Sequence, residues 1–392
     1  MQTTNDSYFN RIAEARSPQG HQEVLDRCVV RVKETLRTFG VRNPKIGRAD
    51  NTYDFCGPDD WVVSFYSGQL WLAYQLTGDP VFREAARSRR PAFNYILRNR
   101  KARDHDLGFQ FSLHSVADWR LTSDPEAKQM ALSAAFALLG RFRDEGGYIQ
   151  SWQPKAGDME QARFANGRMI VDTMQNLALL YWAHQETGIN DYRDVADAHA
   201  QTTRRHLVRP DGTSFHCFLF DPASGEPLRG ETHQGYADGS CWARGQAWLI
   251  HGFAQSYLYN EDAGCLEAAR LVAAKTQELM GESRVPVWDF GLQKGDFPHR
   301  DSSAGAVMAS GLYILAGLTE GEESSRWRGF ADDIIAGLVA ECDLTRTPGT
   351  EGLLAHGAAH VRLGRSDTML PYGDYYFMEA LMRSLGHTNF FW

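Results

Sequence analysis

The chain has 392 residues, of which 43% are hydrophobic and 23% are charged, and this balance excludes a wholly disordered protein. Its formal net charge is -8, with acidic and basic residues interspersed, which argues against nucleic acid as a partner. The amino-terminal residues include no apolar run of signal-peptide length, and no stretch approaches a membrane-spanning helix. We therefore expect a cytoplasmic protein that does not bind a membrane.

A helical hairpin recurs along the chain: an aromatic-rich apolar helix, a short polar turn containing Asp or Glu, and an amphipathic helix rich in Ala and Arg. Helices that are apolar on most sides are buried, whereas helices with one charged stripe face water. The alternation predicts six inner and six outer helices joined by short turns. The expected leading helix is 22–39, the turns are 77–79, 122–124, 187–191, 261–262 and 318–324, and the closing helix is 374–385.

An (α/α)6 barrel is the closed arrangement that such hairpins favour, and we expect one domain over residues 1–392, with residues 1–20 a flexible or peripheral segment. A helical solenoid is the structural alternative, but the spacing of the repeats is too irregular and the inner helices are too apolar. Each inner helix is followed by an outer helix that runs back. The amino termini of the inner helices should therefore gather at one mouth.

An acidic residue stands near the expected start of each inner helix; the six are Asp60, Asp106, Asp172, Asp238, Asp301 and Asp374. For any one of them, capping is the simpler explanation, because aspartate accepts hydrogen bonds from the free N–H groups of a first helical turn. Six acids that converge on one mouth beside Trp, His and Arg side chains also indicate a site. The many aromatic residues are mostly core, but flat aromatic faces also suit carbohydrates.

The six cysteines are scattered without C-x-x-C pairs, which favours reduced thiols over a disulfide framework or a zinc site. The 13 histidines show no H-E-x-x-H or comparable ligand spacing. The sequence therefore predicts no metal and no cofactor.

Several long segments resemble the unsaturated glucuronyl hydrolases of glycoside hydrolase family 88. The most specific is HQGYADGSCWARGQAW at 233–248, and the others are DHDLGFQFSL (104–113), NGRMIVDTMQNLALLYWA (166–183), RDSSAGAVMASGLYIL (300–315) and YGDYYFMEALMR (372–383). The resemblance implies an (α/α)6 barrel that removes a 4,5-unsaturated uronic acid from the non-reducing end of small lyase-generated oligosaccharides. We also expect a monomer or weak homodimer.

By motif, the resemblance places the catalytic acid on Asp172, in R-x-I-x-D, and a second acid on Asp106, in H-D-x-G-F, in preference to Asp104. It implies substrate contacts at Trp61, His105, Trp152, His216, Gln234, Trp242, Arg244, Trp248 and Tyr372. Core packing is the alternative for the tryptophans. For Arg244, whose planar guanidinium suits a carboxylate, the alternative to the uronate is a structural carboxylate such as Asp238.

Two further features concern substrate preference. Tyr66 and Tyr372 stand where the family often has a larger aromatic residue. The loop 360–370 carries Arg362, Arg365 and Ser366, which would suit a sulfate on the next sugar, although a solvated loop is the simpler interpretation.

The implied reaction is hydration of the C4=C5 double bond, so the rule that relates carboxylate separation to inversion or retention does not apply. An acid that works near neutral pH needs a pKa raised by burial or by a neighbouring carboxylate. We expect Asp172 to protonate C4 and Asp106 to stay charged. The alternatives are an unsaturated rhamnogalacturonyl hydrolase acting on pectin fragments, a barrel-type sugar epimerase and a non-catalytic carbohydrate-binding protein.

Overall fold

Two rings of helices alternate along the chain in the computed structural model, which describes Ile12, residues 16–153 and residues 157–392. The outer ring consists of α1 (Pro18–Phe39), α3 (Pro80–Ser88) continued by α4 (Arg90–Arg98), α7 (Pro125–Leu139), α10 (Asn190–His206), α12 (Ala263–Met280) and α14 (Gly321–Glu341). The inner ring consists of α2 (Phe65–Thr77), α5 (Leu107–Phe111) continued by α6 (Ala117–Thr122), α9 (Thr173–Thr187), α11 (Ala243–Asn260), α13 (Ser302–Gly317) and α15 (Pro371–Ser384).

The inner helices are buried on every side, as their sequences indicate. In α9 every residue from Thr173 to Ala183 is buried, and in α13 every residue from Ser302 to Ala316 is buried. Each inner helix packs against its neighbours in the ring, and α15 packs against α2. The ring is therefore closed, which confirms the predicted (α/α)6 barrel and excludes an open solenoid.

Short capped turns join the inner helices to the outer ones where the sequence predicted them. Asp79 accepts a hydrogen bond from the N–H of Val81 at the start of α3, and Asp124 accepts one from Ala127 at the start of α7. Boundaries differ by a few residues: α1 begins at Pro18 instead of 22, α14 at Gly321 instead of 324 and α15 at Pro371 instead of 374. The inner helix between α5 and α6 also contains a π-helical segment, Ser112–Val116, that the sequence did not predict.

The amino-terminal ends of the inner helices carry the short strands. The strands form two hairpins, β1 (Asn43–Gly47) with β2 (Tyr53–Cys56) and β3 (Phe142–Arg143) with β4 (Tyr148–Ile149), and one antiparallel sheet of β5 (Arg168–Ile170), β6 (Cys217–Phe220) and β7 (Pro227–Glu231). A short helix, α8 (Met159–Ala165), precedes β5. The N–H of Val171 donates to the carbonyl of His216 at 3.1 Å, which places His216 beside Asp172.

The largest hydrophobic cluster contains buried residues from Val24 to Trp392. The expectation of a peripheral segment at residues 1–20 falls mainly outside the described residues, although Pro18 to Gly20 already belong to α1. Among the described residues, no helix combines the length and apolarity needed to cross a membrane.

Candidate active site

A cavity of about 270 Å³ opens where the inner helices begin. Seven of the eleven predicted site residues line it: Trp61, His105, Asp106, Trp152, Asp172, Gln234 and Tyr372. The convergence that the alternating helices predicted therefore occurs. Lys45, Asp60, His233, His360 and Arg365 also line the cavity. His233 opens the most specific motif in the sequence, and His360 and Arg365 belong to the loop considered for a sulfate, whereas nothing in the local sequence around Lys45 indicated a site.

The acids at this mouth divide into those that cap a helix and those that do not. Asp60 accepts from the N–H of Val62, and Asp301 accepts from the N–H groups of Ser303 and Ala304. Asp106 and Asp172 occupy the cap positions of α5 and α9, yet neither side chain accepts a hydrogen bond from its helix. Capping therefore does not explain these two carboxyl groups.

Two of the acids are not at a cap position at all, contrary to the expectation from the sequence. Asp238 precedes α11 by five positions and accepts from the N–H of Thr232. Asp374 lies inside the first turn of α15, where it accepts from Tyr53 Oη and from the N–H groups of Leu353 and Leu354. Both acids hold loops in place instead of capping a helix.

Two buried histidines face Asp106 and Asp172, the two acids that cap no helix. Nδ1 of His105 accepts the N–H of Trp152 at 3.2 Å, and Nδ1 of His216 accepts the N–H groups of His233 and Gln234 at 3.0 and 3.1 Å. A neutral imidazole that accepts at Nδ1 carries its proton on Nε2. Nε2 of His105 lies 3.6 Å from Asp106 Oδ1, and Nε2 of His216 lies 3.7 Å from Asp172 Oδ2.

The two histidines are neutral near pH 7. Burial lowers the pKa of His105 to about 4 and also lowers the pKa of His216. The backbone therefore fixes the tautomer of each ring, and each ring presents a neutral N–H donor to one carboxyl group without supplying a positive charge. His216 lies behind Asp172 and is not part of the cavity wall.

The carboxyl group of Asp106 holds its proton to higher pH than an exposed aspartic acid. Burial is the largest cause of its raised pKa, followed by the negative charges of Asp104 and Asp172. Asn176 Nδ2, 3.5 Å from Asp106 Oδ1, opposes this shift. The raised pKa argues against the expectation that Asp106 stays charged, and the sequence showed neither the depth of the site nor the proximity of three acids that cause the shift.

Arg244 is held by a structural carboxylate, and that carboxylate is Asp301, not Asp238. Its Nη1 donates to Asp301 Oδ2 at 2.5 Å and to the carbonyl of Ala358 at 2.8 Å, and Nη2 donates to the carbonyl of Ala359 at 3.0 Å. Arg244 is 1% exposed and does not line the cavity. Its contact with a substrate carboxylate is therefore not supported, since both Nη1 and Nη2 already have partners.

Two predicted aromatic contacts, and the expectation about subsite preference at Tyr66, also need correction. Trp248 is fully buried, and its ring packs against Phe109 and Tyr376 with centroids 5.3 and 5.5 Å apart, so it is a core residue. Trp242 lies behind the cavity, between the ring of His216 at 4.3 Å and the guanidinium of Arg244 at 4.4 Å. Tyr66 is buried and hydrogen-bonds Thr35, so its size does not set a subsite.

One group of residues has the composition of a metal site. Among the described residues, Asp104, His105 and Asp106 each bring one potential ligand atom within 4.8 Å of the others. Asp104 already accepts the N–H of Asp106 at 2.9 Å. We assign no metal to this cluster. That the protein works without a metal stays a prediction from the sequence.

Comparisons with known proteins agree with this geometry. Residues 44–379 match the model of Glycosyl Hydrolase Family 88. An unsaturated glucuronyl hydrolase from Bacillus sp. (strain GL1) is 41% identical over 367 residues, which are 92% of this chain and 96% of that protein.

Solved structures show the same similarity. The crystal structure of unsaturated glucuronyl hydrolase from Bacillus sp. GL1, described as responsible for the degradation of glycosaminoglycan, has a TM-score of 0.87 at 39% identity and covers 93% of this chain and 96% of its own. A mutant unsaturated glucuronyl hydrolase from Streptococcus agalactiae, complexed with dGlcA-GalNAc6S, has a TM-score of 0.83 at 28% identity and covers 96% and 94%.

The closed double ring of helices and the paired acids at its mouth define a glycoside hydrolase with an (α/α)6 barrel. The chain belongs to glycosyl hydrolase family 88. Family membership does not by itself assign a role to any one side chain. Those roles follow below as a proposal.

Proposed function

We propose that this enzyme releases a 4,5-unsaturated uronic acid from the non-reducing end of small oligosaccharides by hydrating the C4=C5 double bond. The observation that carries the proposal is the pair of acids, Asp106 and Asp172, which line one cavity, cap no helix and each face a neutral histidine N–H. The names of the family relatives, and the dGlcA-GalNAc6S complex, support the choice of substrate.

The reaction begins with a proton. The π electrons of C4=C5 take it at C4, which leaves a cation shared between C5 and the ring oxygen. Water adds to C5 and gives up a proton to a carboxylate. The resulting hemiketal opens between C5 and the ring oxygen, leaving a ketone at C5 and a hemiacetal at C1, and the hemiacetal expels the remaining sugar as an alcohol.

The acid pair supplies both proton steps in this scheme. Ionising Asp106 beside the carboxylates of Asp104 and Asp172 in a buried site would place like charges together, which favours retention of a proton on Asp106. Asp106 stores that proton in the free enzyme, in keeping with its raised pKa. Asp172 Oδ2 is buried and faces Nε2 of His216, whereas the side chain as a whole is 13% exposed and lines the cavity, so Oδ1 is the oxygen that Asp172 presents to the substrate. In this scheme the proton passes from Asp106 to Asp172, which gives it to C4 and then accepts one from water.

The walls of the cavity suit an anionic sugar. The rings of Trp61 and Tyr372 lie 4.9 Å apart at 35°, and Trp152 closes another side, which together offer flat faces for a pyranose ring. Arg365 brings a guanidinium to the cavity, whereas Lys45 is paired with Asp60 at 2.6 Å. Of the loop residues proposed for a sulfate, Arg365 therefore has the position to meet an acidic group on the substrate.

The other functions fit the site less well. A sugar epimerase would use histidines as acid and base, but Nδ1 of His105 and of His216 accepts backbone N–H groups, and burial keeps both rings neutral. A binding protein gains nothing from a buried acid with a raised pKa. We further propose a cytoplasmic, monomeric or weakly dimeric enzyme; its six cysteines are free thiols.

A matched pair of disaccharides tests the proposal. One carries the 4,5-unsaturated uronic acid made by a lyase, and the other carries the saturated uronic acid with the same second sugar. We expect the enzyme to abolish the ultraviolet absorbance of the first and release its second sugar, and to leave the second intact, because only a C4=C5 bond can be protonated at C4. Cleavage of both at similar rates would contradict hydration.

A further inference from the structure

Arg141 is a buried cation near the site, and its hydrogen bonds within the described part of the chain all go to backbone carbonyls. It follows α7 and is 8% exposed. Nε donates to Gln150 O at 2.9 Å, Nη2 to Trp152 O at 2.7 Å and to Ser151 O at 3.3 Å, and Nη1 to Arg103 O at 3.4 Å. The guanidinium thus holds three successive carbonyls of one loop and one carbonyl from the segment that leads to His105.

The loop that Arg141 holds has an unfavourable backbone conformation. Trp152 has a φ of +41°, in the left-handed region that a residue with a bulky side chain rarely adopts. Such a conformation persists only when surrounding contacts hold it. Arg141 provides those contacts on both sides of Trp152, since it binds the carbonyl of Trp152 and the carbonyls of the two residues before it.

The peptide group between Ser151 and Trp152 connects Arg141 to the acid pair. Its carbonyl accepts from Arg141 Nη2 at 3.3 Å, and its N–H donates to His105 Nδ1 at 3.2 Å. That donation fixes the proton of His105 on Nε2, which lies 3.6 Å from Asp106 Oδ1. Arg141 therefore acts on one end of a peptide group whose other end sets the tautomer of His105.

We propose that Arg141 is a positioning residue for the reaction: it orients the Ser151–Trp152 peptide so that His105 presents Nε2–H to Asp106. The catalytic part of this inference rests on the proposed function of Asp106. Burial lowers the pKa of Arg141, so the fold bears a desolvation cost to keep this cation in place.

Arg141→Lys tests the inference, with Arg89→Lys as its matched control. Arg89 is 1% exposed and likewise donates mainly to backbone and neutral side chains, including Arg42 O at 2.8 Å and Ser67 Oγ at 3.0 Å, but it does not contact the loop at 150–152. Lysine keeps the charge and loses the planar fork of donors in both variants. The two substitutions should therefore perturb the fold to a similar extent, but only Arg141→Lys removes donors from the loop at 150–152.

The tautomer of His105 is the decisive readout. In protein with ¹⁵N-labelled histidine, the spectra distinguish Nδ1–H from Nε2–H, and the His105 signals are those missing in His105→Gln. We expect Nε2–H in the wild type and in Arg89→Lys, and a mixture of tautomers in Arg141→Lys. We also expect kcat to fall by about 10- to 100-fold in Arg141→Lys with a smaller change in KM, as for other residues that orient a catalytic group.

The pH profile gives a second readout that general destabilisation would not move. A donor facing the ionised carboxylate lowers its pKa, so losing Nε2–H should raise the pKa of Asp106 and shift the high-pH limb of kcat towards higher pH. Arg89→Lys should leave this limb in place. If Arg141→Lys does not fold, Arg141→Gln, which retains two N–H donors without a buried charge, is expected to change the tautomer and the profile in the same direction.

The outcomes distinguish a positioning role of Arg141 in the reaction from a purely structural one. An unchanged Nε2–H tautomer in folded Arg141→Lys or Arg141→Gln would overturn the inference. A mixed tautomer with unchanged kcat and unchanged pH profile would overturn its catalytic part, while turnover in Asp106→Asn decides separately whether Asp106 takes part in the reaction. Similar effects of Arg141→Lys and Arg89→Lys on all three measurements would show that Arg141 is merely structural.

Discussion

Asp172→Asn should lower kcat by about 10²- to 10⁴-fold, the range for loss of a general acid or base. Asparagine keeps the shape of the side chain but has no carboxylic proton for C4 and cannot take a proton from water. Asp172 makes no capping hydrogen bond to α9, so the variant should fold and melt close to the wild type. Loss of ultraviolet absorbance from an unsaturated disaccharide measures kcat, and circular dichroism measures the melting temperature.

Asp262→Asn is the control for this substitution. Asp262 caps the outer helix α12 by accepting the N–H of Gly264 at 2.9 Å, and asparagine can make the same bond. It lies in the turn that follows the carboxyl-terminal end of the inner helix α11, away from the cavity. Its turnover should remain that of the wild type. Near-normal turnover in Asp172→Asn would mean that the acid is another residue.

Asp106→Asn should combine a large loss of turnover, again about 10²-fold or more, with a gain in stability at higher pH. The folded state holds the proton of Asp106 more tightly than the unfolded state, because burial raises its pKa. Above the ordinary pKa of an aspartic acid the unfolded chain releases this proton first, so stability is lost as pH rises through the raised pKa. Asparagine is neutral at every pH and removes that loss.

The melting temperature of Asp106→Asn, compared with the wild type from acid to alkaline pH, measures this effect. The two proteins should melt alike at the acid end, and the variant should become relatively more stable as pH rises. An equal melting difference at every pH would show that Asp106 is ionised in the folded enzyme.

The sequence predicted the fold because local patterns determine it. The apolar inner helices, the charged stripes of the outer ones and the Asp-containing turns are readable over short stretches, and the structure places the turns at Asp79 and Asp124 as expected. The boundaries of α14 and α15 differed by three residues, since neither helix has a capping side chain that accepts from its first turn; Pro371, at the first position of α15, was a start signal that the sequence did offer.

The site was only partly predictable because its details depend on residues far apart in the chain. Motifs identified Asp106 and Asp172, but not that Arg244 pairs with Asp301, 57 positions away. Nothing local to His105 indicates that the N–H of Trp152 would set its tautomer. The raised pKa of Asp106 likewise depends on burial and on neighbouring charges that only the folded chain brings together.

The fate of the oxygen from water tests hydration most directly. The reaction is run in ¹⁸O-labelled water with an unsaturated disaccharide. The product is reduced with borohydride at once, so that its keto and aldehyde oxygens cannot exchange with water. Authentic product incubated for the same time without enzyme gives the background of exchanged label. If water adds to C5, the label is on C5, the oxygen on C1 is the unlabelled ring oxygen, and a parallel reaction in heavy water places deuterium on C4. Label on C1 would show that water attacks the anomeric carbon and would contradict the mechanism proposed for Asp172 and Asp106.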